Sequence, residues 1–229
     1  WVFNEKEGHS SVFETTHIIS SRTLSEYEDF HMPSDYPDYP SHKHLAAYFQ
    51  DYARNFNLYP HIRFRTLVKK CTRMPDGKWE VISENGGTES TLIFDVLVVC
   101  NGHHWNPRMP VYPGHFDGKL MHSHAVKRFE DFRDQKVLVV GGGNSACDVA
   151  VESSRVASSV DLSWRRGYWV APKFIMGKPA DKFSEKIKWM PLWLWQRVSA
   201  FSLKMRNGTN SLYGLPEPEG PLGSHHPTV

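Results

Sequence analysis

The sequence of 229 residues predicts an α/β fold, and three observations lead to that class. A Val-rich run over residues 137–140 is followed by three glycines and then by apolar residues at helical spacing. A second apolar run, residues 94–100, also ends close to a glycine, Gly102. Between a predicted helix and this second run lie short alternating segments separated by a Pro-Asp-Gly turn, a pattern typical of a β-ribbon.

The composition fits a globular protein with a substantial core. Aromatic residues make up 13% and charged residues 23% of the chain, so enough apolar surface is available for burial. The formal net charge of +2 gives no reason to expect a nucleic acid as a partner. The thirteen histidines show no zinc-ligand spacing, so we predict no metal site.

The cysteines and the absence of a targeting segment indicate the cellular compartment. Cys71, Cys100 and Cys147 make an odd count, and the last two adjoin predicted buried strands, which indicates reduced, packed thiols. No signal peptide or membrane-spanning segment is visible, so we expect a cytoplasmic protein, with association at a membrane surface left open. Because the chain opens at Trp1 without a methionine, we expect a fragment of a longer protein.

The first part of the chain combines irregular segments with one helix. Residues 1–40 have little periodicity apart from the β-like run 17–19, and three prolines within residues 32–40 predict an ordered loop. Ser41 is the predicted N-cap of a helix over residues 42–56. The apolar residues of this helix share one stripe, which we expect to pack in the core: Leu45, Tyr48, Phe49, Tyr52 and Phe56.

A β-ribbon and a buried strand follow this helix. A turn at Pro75-Asp76-Gly77 separates the first two of three predicted strands, which cover residues 62–68, 79–82 and 91–94. The apolar run 94–100 then predicts a buried strand that leads into Asn101-Gly102-His103. A glycine directly after such a strand lets a ligand approach the backbone at the carboxyl end, where α/β sheets bind their ligands.

The stretch that carries chemistry is the glycine turn after the Val-rich run. That run predicts a strand buried on both faces, and Gly141-x-Gly143-x-x-Ala146 then has the spacing and context of a dinucleotide-binding fingerprint. Gly141 permits the turn, Gly143 lets the backbone approach a pyrophosphate, and Ala146 lets the helix lie close to the strand. The helix start, with Asn144 and Ser145, is expected to bind the phosphates. The alternative is a glycine turn that only joins a strand to a helix.

The next strand indicates which dinucleotide binds. Residues 158–164 alternate between apolar and polar side chains, and Arg165 and Arg166 follow the strand end. An acidic residue at that end suits the ribose hydroxyl of NAD, whereas guanidinium groups suit the 2′-phosphate of NADP. Because Asp161 lies in mid-strand, we predict NADP(H) bound by the two arginines. A solvated arginine pair is the alternative.

The remaining residues are less regular. Residues 168–172 either continue the sheet or line the cofactor site. The aromatic stretch 189–203 predicts a helix, which we interpret as a lid or domain-packing helix rather than an amphipathic helix at a membrane face. Prolines and glycine within residues 215–221 predict a connector.

Two motifs in order resemble those of a known enzyme family. Phe116-x-Gly118-x-x-x-His122 precedes Gly141-x-Gly143-x-Ser145-Ala146. This arrangement resembles the flavin-containing monooxygenases and their Baeyer–Villiger relatives, the class B flavoprotein monooxygenases. Further stretches that resemble the same family cover nearly the whole chain: Trp1 and residues 29–37, 99–103, 164–170, 213–218 and 226–228.

The resemblance implies two dinucleotide-binding, Rossmann-like domains, both incomplete in this chain, with the β-ribbon as a small insertion. Residues 1–130 would be the C-terminal part of the first FAD-domain segment, whose glycine loop lies before residue 1. Residues 131–229 would be the NADPH-binding domain, incomplete at its C-terminal end. The residues that the resemblance places near FAD are Trp1, Asn101, Gly102 and His103.

The resemblance also implies the reaction. NADPH reduces FAD, O2 adds to the flavin, and the C4a-hydroperoxyflavin oxygenates a soft nitrogen or sulfur of a small molecule, as in N,N-dimethylaniline monooxygenase activity. No side chain is assigned as catalytic, and His122 is either a domain-coupling residue or a structural histidine. The alternatives are a Baeyer–Villiger ketone monooxygenase, an uncoupled NADPH oxidase and a non-catalytic nucleotide-binding module. Homo-oligomerisation is left open.

Two positions depart from the family pattern. Val126 stands four residues after His122, where the family usually has Tyr, Phe or Trp. Ile19 stands where many members carry an asparagine beside the flavin. We therefore expect part of the NADPH oxidation to release hydrogen peroxide.

Overall fold

The computed structural model describes residues 1–6, 10–102, 104–182 and 189–223. The chain divides into two compact units, one formed by Trp1–Ala46 with His104–Val229 and the other by Ala47–His103. The predicted assignment of residues 1–130 to a FAD domain and 131–229 to an NADPH domain stays a prediction.

The second unit contains the expected β-ribbon. Strands β1 (Thr66–Arg73), β2 (Trp79–Asn85) and β3 (Thr88–Phe94) form an antiparallel sheet in that order. The predicted turn is confirmed, since the N–H of Gly77 donates to the carbonyl of Met74 at 3.0 Å and Gly77 has φ 86°. The first strand runs later in the sequence than the predicted 62–68, and a register shift between Val68 and Lys70 interrupts its pairing with β2.

The predicted buried strand over residues 94–100 is wrong. β3 ends at Phe94, and residues 95–100 belong to no strand. Val96 and Val98 are each 74% exposed, and Cys100 is an exposed thiol rather than a packed one. An apolar run gains ladder hydrogen bonds and burial only where another strand lies beside it, and no described segment pairs with this one.

The first unit begins with loops and the start of a helix. The helix α1 spans Arg22–Ser25, and α2 spans His42–Asn55, close to the predicted bounds. Ser41 precedes α2, and its hydroxyl lies 2.9 Å from Nδ1 of His44. Residues 32–40 form the predicted ordered loop, because the N–H of Ile18 donates to the carbonyl of Pro40 at 3.0 Å and Pro40 is fully buried.

The apolar stripe of α2 is only partly buried. Leu45 and Tyr48 are almost inaccessible to solvent, as predicted. Phe49 and Phe56 remain substantially exposed, so the expectation that the whole stripe packs in the core is wrong for these two. Helical spacing selects a face of the helix, but the surrounding chain decides how much of that face is covered.

A parallel β-α-β unit forms the centre of the first unit. Strand β4 (Lys136–Val140), helix α3 (Asn144–Ser153) and strand β5 (Ser159–Ser163) follow one another, and the two strands pair in parallel. The buried cluster on the α3 side of this unit consists of Phe13, Val126, Phe129, Val139, Val149 and Ala150. The α/β class predicted from the Val-rich run is confirmed.

The prediction that β4 is buried on both faces is wrong. Val139 lies in the core cluster, whereas its neighbours Leu138 and Val140 are 66% and 54% exposed. Successive side chains of a strand point to opposite faces. Helix α3 covers one face, and the exposure of Leu138 and Val140 shows that the described residues leave the other face open.

The C-terminal part contains a small hairpin and a longer helix. Strands β6 (Phe174–Ile175) and β7 (Lys178–Pro179) pair antiparallel, and α4 spans Leu192–Asn207. The predicted helix is therefore confirmed, but none of its residues is buried. No described helix is long and apolar enough to cross a membrane. The interpretation of α4 as a lid and the cytoplasmic location stay predictions.

Candidate functional site

The glycine turn between β4 and α3 has the geometry that the fingerprint requires. Gly141 has φ 138°, a conformation that residues with a side chain rarely adopt. Its N–H donates to the carbonyl of Ser163 at 3.0 Å, which ties the turn to the end of β5. A methyl group added at Gly141 would lie 3.4 Å from Cβ of Ala146, so the small residues keep helix and turn close together.

The start of α3 faces open space. Gly143 is the N-cap of the helix and provides no side-chain cap. The first-turn N–H groups, those of Asn144, Ser145 and Ala146, have no acceptor inside the helix. A methyl group added at Gly143 would meet no atom within 4 Å, so an anion has access to these donors. The residues present therefore fit a pyrophosphate.

The middle glycine of the turn is packed against an aromatic ring. Gly142 is buried, and a methyl group added there would lie 2.8 Å from Cζ of Tyr168, with Cε2 closer still. The Tyr168 ring in turn meets Trp164 edge-on, with ring centroids 5.2 Å apart and planes at 80°. Sequence reasoning passed over Gly142 because the fingerprint allows any residue there. The sequence signal for a constraint at this position was a glycine at Gly142, where the fingerprint accepts any residue.

The parallel pairing of the two strands brings the turn and the arginines to one edge. Val140 pairs with Ser163 at the carboxyl ends of β4 and β5. The glycine turn follows the first strand directly, and Arg165 and Arg166 follow the second after one residue. Both arginines are exposed. Asp161 lies within β5 and pairs with Leu138, so it occupies the mid-strand position expected of it.

The residues predicted near FAD belong to different units of the chain. Trp1 is exposed in one unit, whereas Asn101 and Gly102 are exposed in the other. His103 lies outside the described residues. These four assignments stay predictions.

His122 performs a local structural task. It is the N-cap of a short 3₁₀ helix, Ser123–Ala125, and its Nδ1 accepts a hydrogen bond from the N–H of His124 at 3.1 Å. His124 is buried, and burial lowers the pKa of its imidazole, with Lys127 and His122 adding repulsion. The capping bond accounts for a structural role of His122, and its role in coupling domains stays a prediction.

The two positions that depart from the family pattern have opposite surroundings. Val126 is 3% exposed and belongs to the core cluster with Phe129 and Val139. Ile19 is 65% exposed and has no hydrogen-bonding side chain. Val126 therefore contributes to packing, whereas Ile19 offers an apolar surface where the family resemblance places an asparagine.

Comparison with known proteins identifies the family. Residues 1–191 match the family model described as "Flavin-binding monooxygenase-like". The chain is 40% identical over 192 residues to dog "Flavin-containing monooxygenase 1", a match that covers 79% of this chain and 36% of the relative. It is 37% identical over 180 residues to rhesus macaque "Dimethylaniline monooxygenase [N-oxide-forming] 2", covering 74% of this chain and 34% of the relative.

A third relative matches along the whole chain. Guinea pig "Flavin-containing monooxygenase 5" is 35% identical, with 100% of this chain and 46% of the relative covered. The chain thus spans less than half the length of each of these three relatives.

Solved structures share the fold. S-allyl-L-cysteine S-oxygenase from Allium sativum superimposes with a TM-score of 0.68 at 25% identity, over 78% of this chain and 45% of the neighbour. Tmm from Pelagibacter gives a TM-score of 0.68 at 27% identity, over 76% of this chain and 43% of the neighbour. Cyclohexanone monooxygenase, at 19% identity and a TM-score of 0.60 over 85% of this chain and 40% of the neighbour, has the same fold. From its motifs, its β4-α3-β5 unit and these matches, the chain belongs to the flavin-binding monooxygenase-like family.

Proposed function

We propose that this chain is part of an FAD- and NADPH-dependent monooxygenase that inserts oxygen at a soft nitrogen or sulfur atom of a small molecule. The observation that carries the proposal is the shared edge of β4 and β5. There the open helix start at Gly143 lies at the same end of the strands as Arg165 and Arg166. Membership of the family supports the oxygenation.

The chain's own residues divide the binding of NADPH between them. The N–H groups at the start of α3 bind the pyrophosphate, because the helix end is positively polarised and open to solvent. Arg165 binds the 2′-phosphate, since a planar guanidinium forms paired, charge-assisted hydrogen bonds with phosphate oxygens. Arg166 adds positive charge from the adjacent position. The nucleotide is thereby held at both ends of its adenosine diphosphate half.

When FAD is bound, it supplies the electron transfer and the activation of O2, and the protein orients and shields it. The expected contacts from this chain are Trp1, Asn101, Gly102 and His103, as the family resemblance implies.

The names of the relatives favour heteroatom oxygenation over attack on a ketone. Matches at 37% identity include a dimethylaniline monooxygenase that is N-oxide-forming, and a structural neighbour at 25% identity is an S-oxygenase. The ketone-oxidising neighbour is only 19% identical, which supports a common fold and nothing about the substrate. A soft amine or thioether is therefore the substrate class we propose.

The test uses the full-length protein with NADPH and ¹⁸O2. N,N-dimethylaniline, S-allyl-L-cysteine and cyclohexanone are supplied in separate reactions, and products are analysed by mass spectrometry. We expect one ¹⁸O atom in the N-oxide or S-oxide and no lactone from the ketone. A lactone as the only oxygenated product would identify a Baeyer–Villiger enzyme. NADPH oxidation that yields peroxide alone with all three would identify an oxidase.

A further inference from the structure

The turn that carries the two arginines is fastened to a segment far along the chain. We propose that Asn210 is a positioning residue for Arg165 and Arg166, and that residues 210–220, called here the latch segment, set the preference for a 2′-phosphorylated nucleotide. This inference rests on the proposed binding of NADPH. It adds a specificity determinant that does not itself touch the nucleotide.

Asn210 ties the arginine turn to the latch segment directly. Its side-chain amide donates to the carbonyl of Tyr168 at 3.0 Å and to the carbonyl of Pro216 at 3.0 Å. A side-chain amide has two N–H donors, and both are used here. One side chain therefore joins two backbone segments between which the β6–β7 hairpin and the whole of α4 lie in the sequence.

The two backbones also approach each other closely beside this bridge. Gly167 forms a parallel β-bridge with Pro218. A methyl group added at Gly167 would collide with the carbonyl oxygens of Pro216 and Glu217, so the latch segment lies against the residue that follows Arg166. Farther along, the indole N–H of Trp169 donates to the carbonyl of Gly220 at 3.2 Å. Three separate contacts thus hold residues 167–169, the stretch that directly follows Arg166.

The latch segment begins with a short 3₁₀ helix, Asn210–Tyr213, and its later residues are bonded back to that helix. The N–H of Ser211 donates to the carboxylate of Glu217 at 2.9 Å, and the N–H of Leu215 donates to the carbonyl of Asn210 at 3.1 Å. The segment therefore folds back on itself. It presents Asn210 and Pro216 to the arginine turn as one piece.

The arginine turn comprises residues 164–168. Its side opposite to Asn210 packs on the glycine turn. The Tyr168 ring covers Gly142 and meets Trp164, while the Tyr168 carbonyl accepts from Asn210. The backbone between Trp164 and Tyr168 is thereby held from both sides. Arginine side chains lose conformational entropy when they bind phosphate, and a turn that is already fixed has less freedom left to lose. Loosening the latch should therefore weaken phosphate binding without removing any group that contacts the phosphate.

The experiment compares two ligands that differ by the 2′-phosphate alone. Binding of adenosine 2′,5′-bisphosphate and of adenosine 5′-monophosphate to the full-length, FAD-loaded protein is measured by titration calorimetry. The variants are Asn210→Ala and the milder Asn210→Ser, which keeps one donor. The matched control is Asn207→Ala, because Asn207 also donates a side-chain amide hydrogen bond to a backbone carbonyl, that of Val170, at 3.1 Å.

We expect Asn210→Ala to reduce the ratio of the two affinities roughly three- to tenfold, below the roughly ten- to hundredfold effect of removing a charge-assisted bond outright. Asn210→Ser should show a smaller reduction, and Asn207→Ala should keep the wild-type ratio. Equal weakening of both ligands by Asn210→Ala would show a general loss of structure and overturn the positioning role, as would an unchanged ratio. If the wild-type protein itself shows no preference for the bisphosphate, the proposed selection of NADPH fails, and the latch proposal fails with it. If Asn210→Ala does not fold, the ratio of the two affinities in Asn210→Ser tests the positioning role instead.

Discussion

Two neighbouring glycines of the turn should respond to the same substitution in opposite ways. In Gly142→Ala the new methyl group would lie 2.8 Å from Cζ of Tyr168 and nearer to Cε2. Carbon atoms prefer separations of about 3.5–4.0 Å, so the ring would have to move by about 1 Å. Overpacking of this kind costs about 1–3 kcal/mol. Loss of the edge-on contact with Trp164 would add about 0.5–1.5 kcal/mol if the ring moves away from it.

The matched substitution Gly143→Ala meets none of these obstacles. Its methyl group would have no atom within 4 Å, and its φ of −84° is ordinary for alanine. Replacing glycine where alanine fits the backbone stabilises the folded state by about 0.4–1 kcal/mol through the unfolded chain. Alanine is a poorer N-cap than glycine by a similar amount, so the two effects roughly cancel. The methyl group would, however, stand in the open space through which a pyrophosphate approaches the helix start. Stability should be kept and nucleotide binding lost.

The assay follows both quantities in the full-length protein. The apparent Tm of Gly142→Ala should fall by several degrees, since 1 kcal/mol corresponds to about 2–4 °C for a domain of 150–250 residues. The Tm of Gly143→Ala should stay within about 2 °C of the wild-type value, by the same conversion. The Kd for NADP⁺ should increase at least about tenfold in Gly143→Ala, because a helix N-terminus binds phosphate through close backbone contact.

Relief of the collision supplies the control. In the Gly142→Ala background, Tyr168→Leu removes the ring, so the double variant should lose less stability than the two single changes together. A wild-type Tm for Gly142→Ala would refute the reasoning, because it would mean that the Tyr168 ring does not occupy the position described. The reasoning would also be refuted if the stability loss of the double variant equalled the sum of the losses of the two single variants.

Three further outcomes are expected. Arg165→Ala should raise the KM for NADPH in steady-state flavin reduction roughly ten- to a hundredfold and leave that for NADH nearly unchanged, with a smaller effect for Arg166→Ala. Equal weakening of both nucleotides would make Arg165 structural. NADPH oxidation should release hydrogen peroxide because Ile19 and Val126 depart from the family pattern, and a stoichiometry of one product per NADPH without peroxide would contradict this. Burial lowers the pKa of His124 below 6.5, so the unfolded chain takes up the proton first and stability should be lost as pH falls below about 6.5. Tm measured between pH 7.5 and 5.5 should therefore fall more steeply in the wild type than in His124→Asn.

The sequence by itself determined the local units of this fold. The strand, glycine turn and helix around Gly141 were predicted in the correct order, and the predicted strand 137–140 is one residue shorter than β4. The apolar periodicity and the φ requirement of the turn are encoded within a few residues, which is why the sequence predicts them. The arginine pair was predicted at the end of β5 for the same reason, and it follows that strand after one residue. The family also followed from the order of short motifs, and the family match confirmed it.

Burial was the property that the sequence predicted least well. The runs 94–100 and 137–140 are both Val-rich, yet the first lies outside any strand beyond Phe94 and the second is buried on one face only. An apolar side chain is buried only where another segment covers it, and that segment is remote in sequence. A strand likewise needs a neighbour for its hydrogen bonds. Neither condition can be read from the run itself.

Only the tertiary structure decided how the nucleotide site is supported. Gly142 follows no rule of the fingerprint, and its need for a hydrogen in place of a side chain comes from the ring of Tyr168. Asn210 lies between the predicted aromatic helix and the predicted connector, where the sequence predicts no role, yet it fixes the turn beside the arginines across 42 residues of chain. The sequence supplies the groups that meet the phosphates because those groups belong to local motifs. The contacts that hold them in place are made between distant segments, and they exist only once the chain has folded.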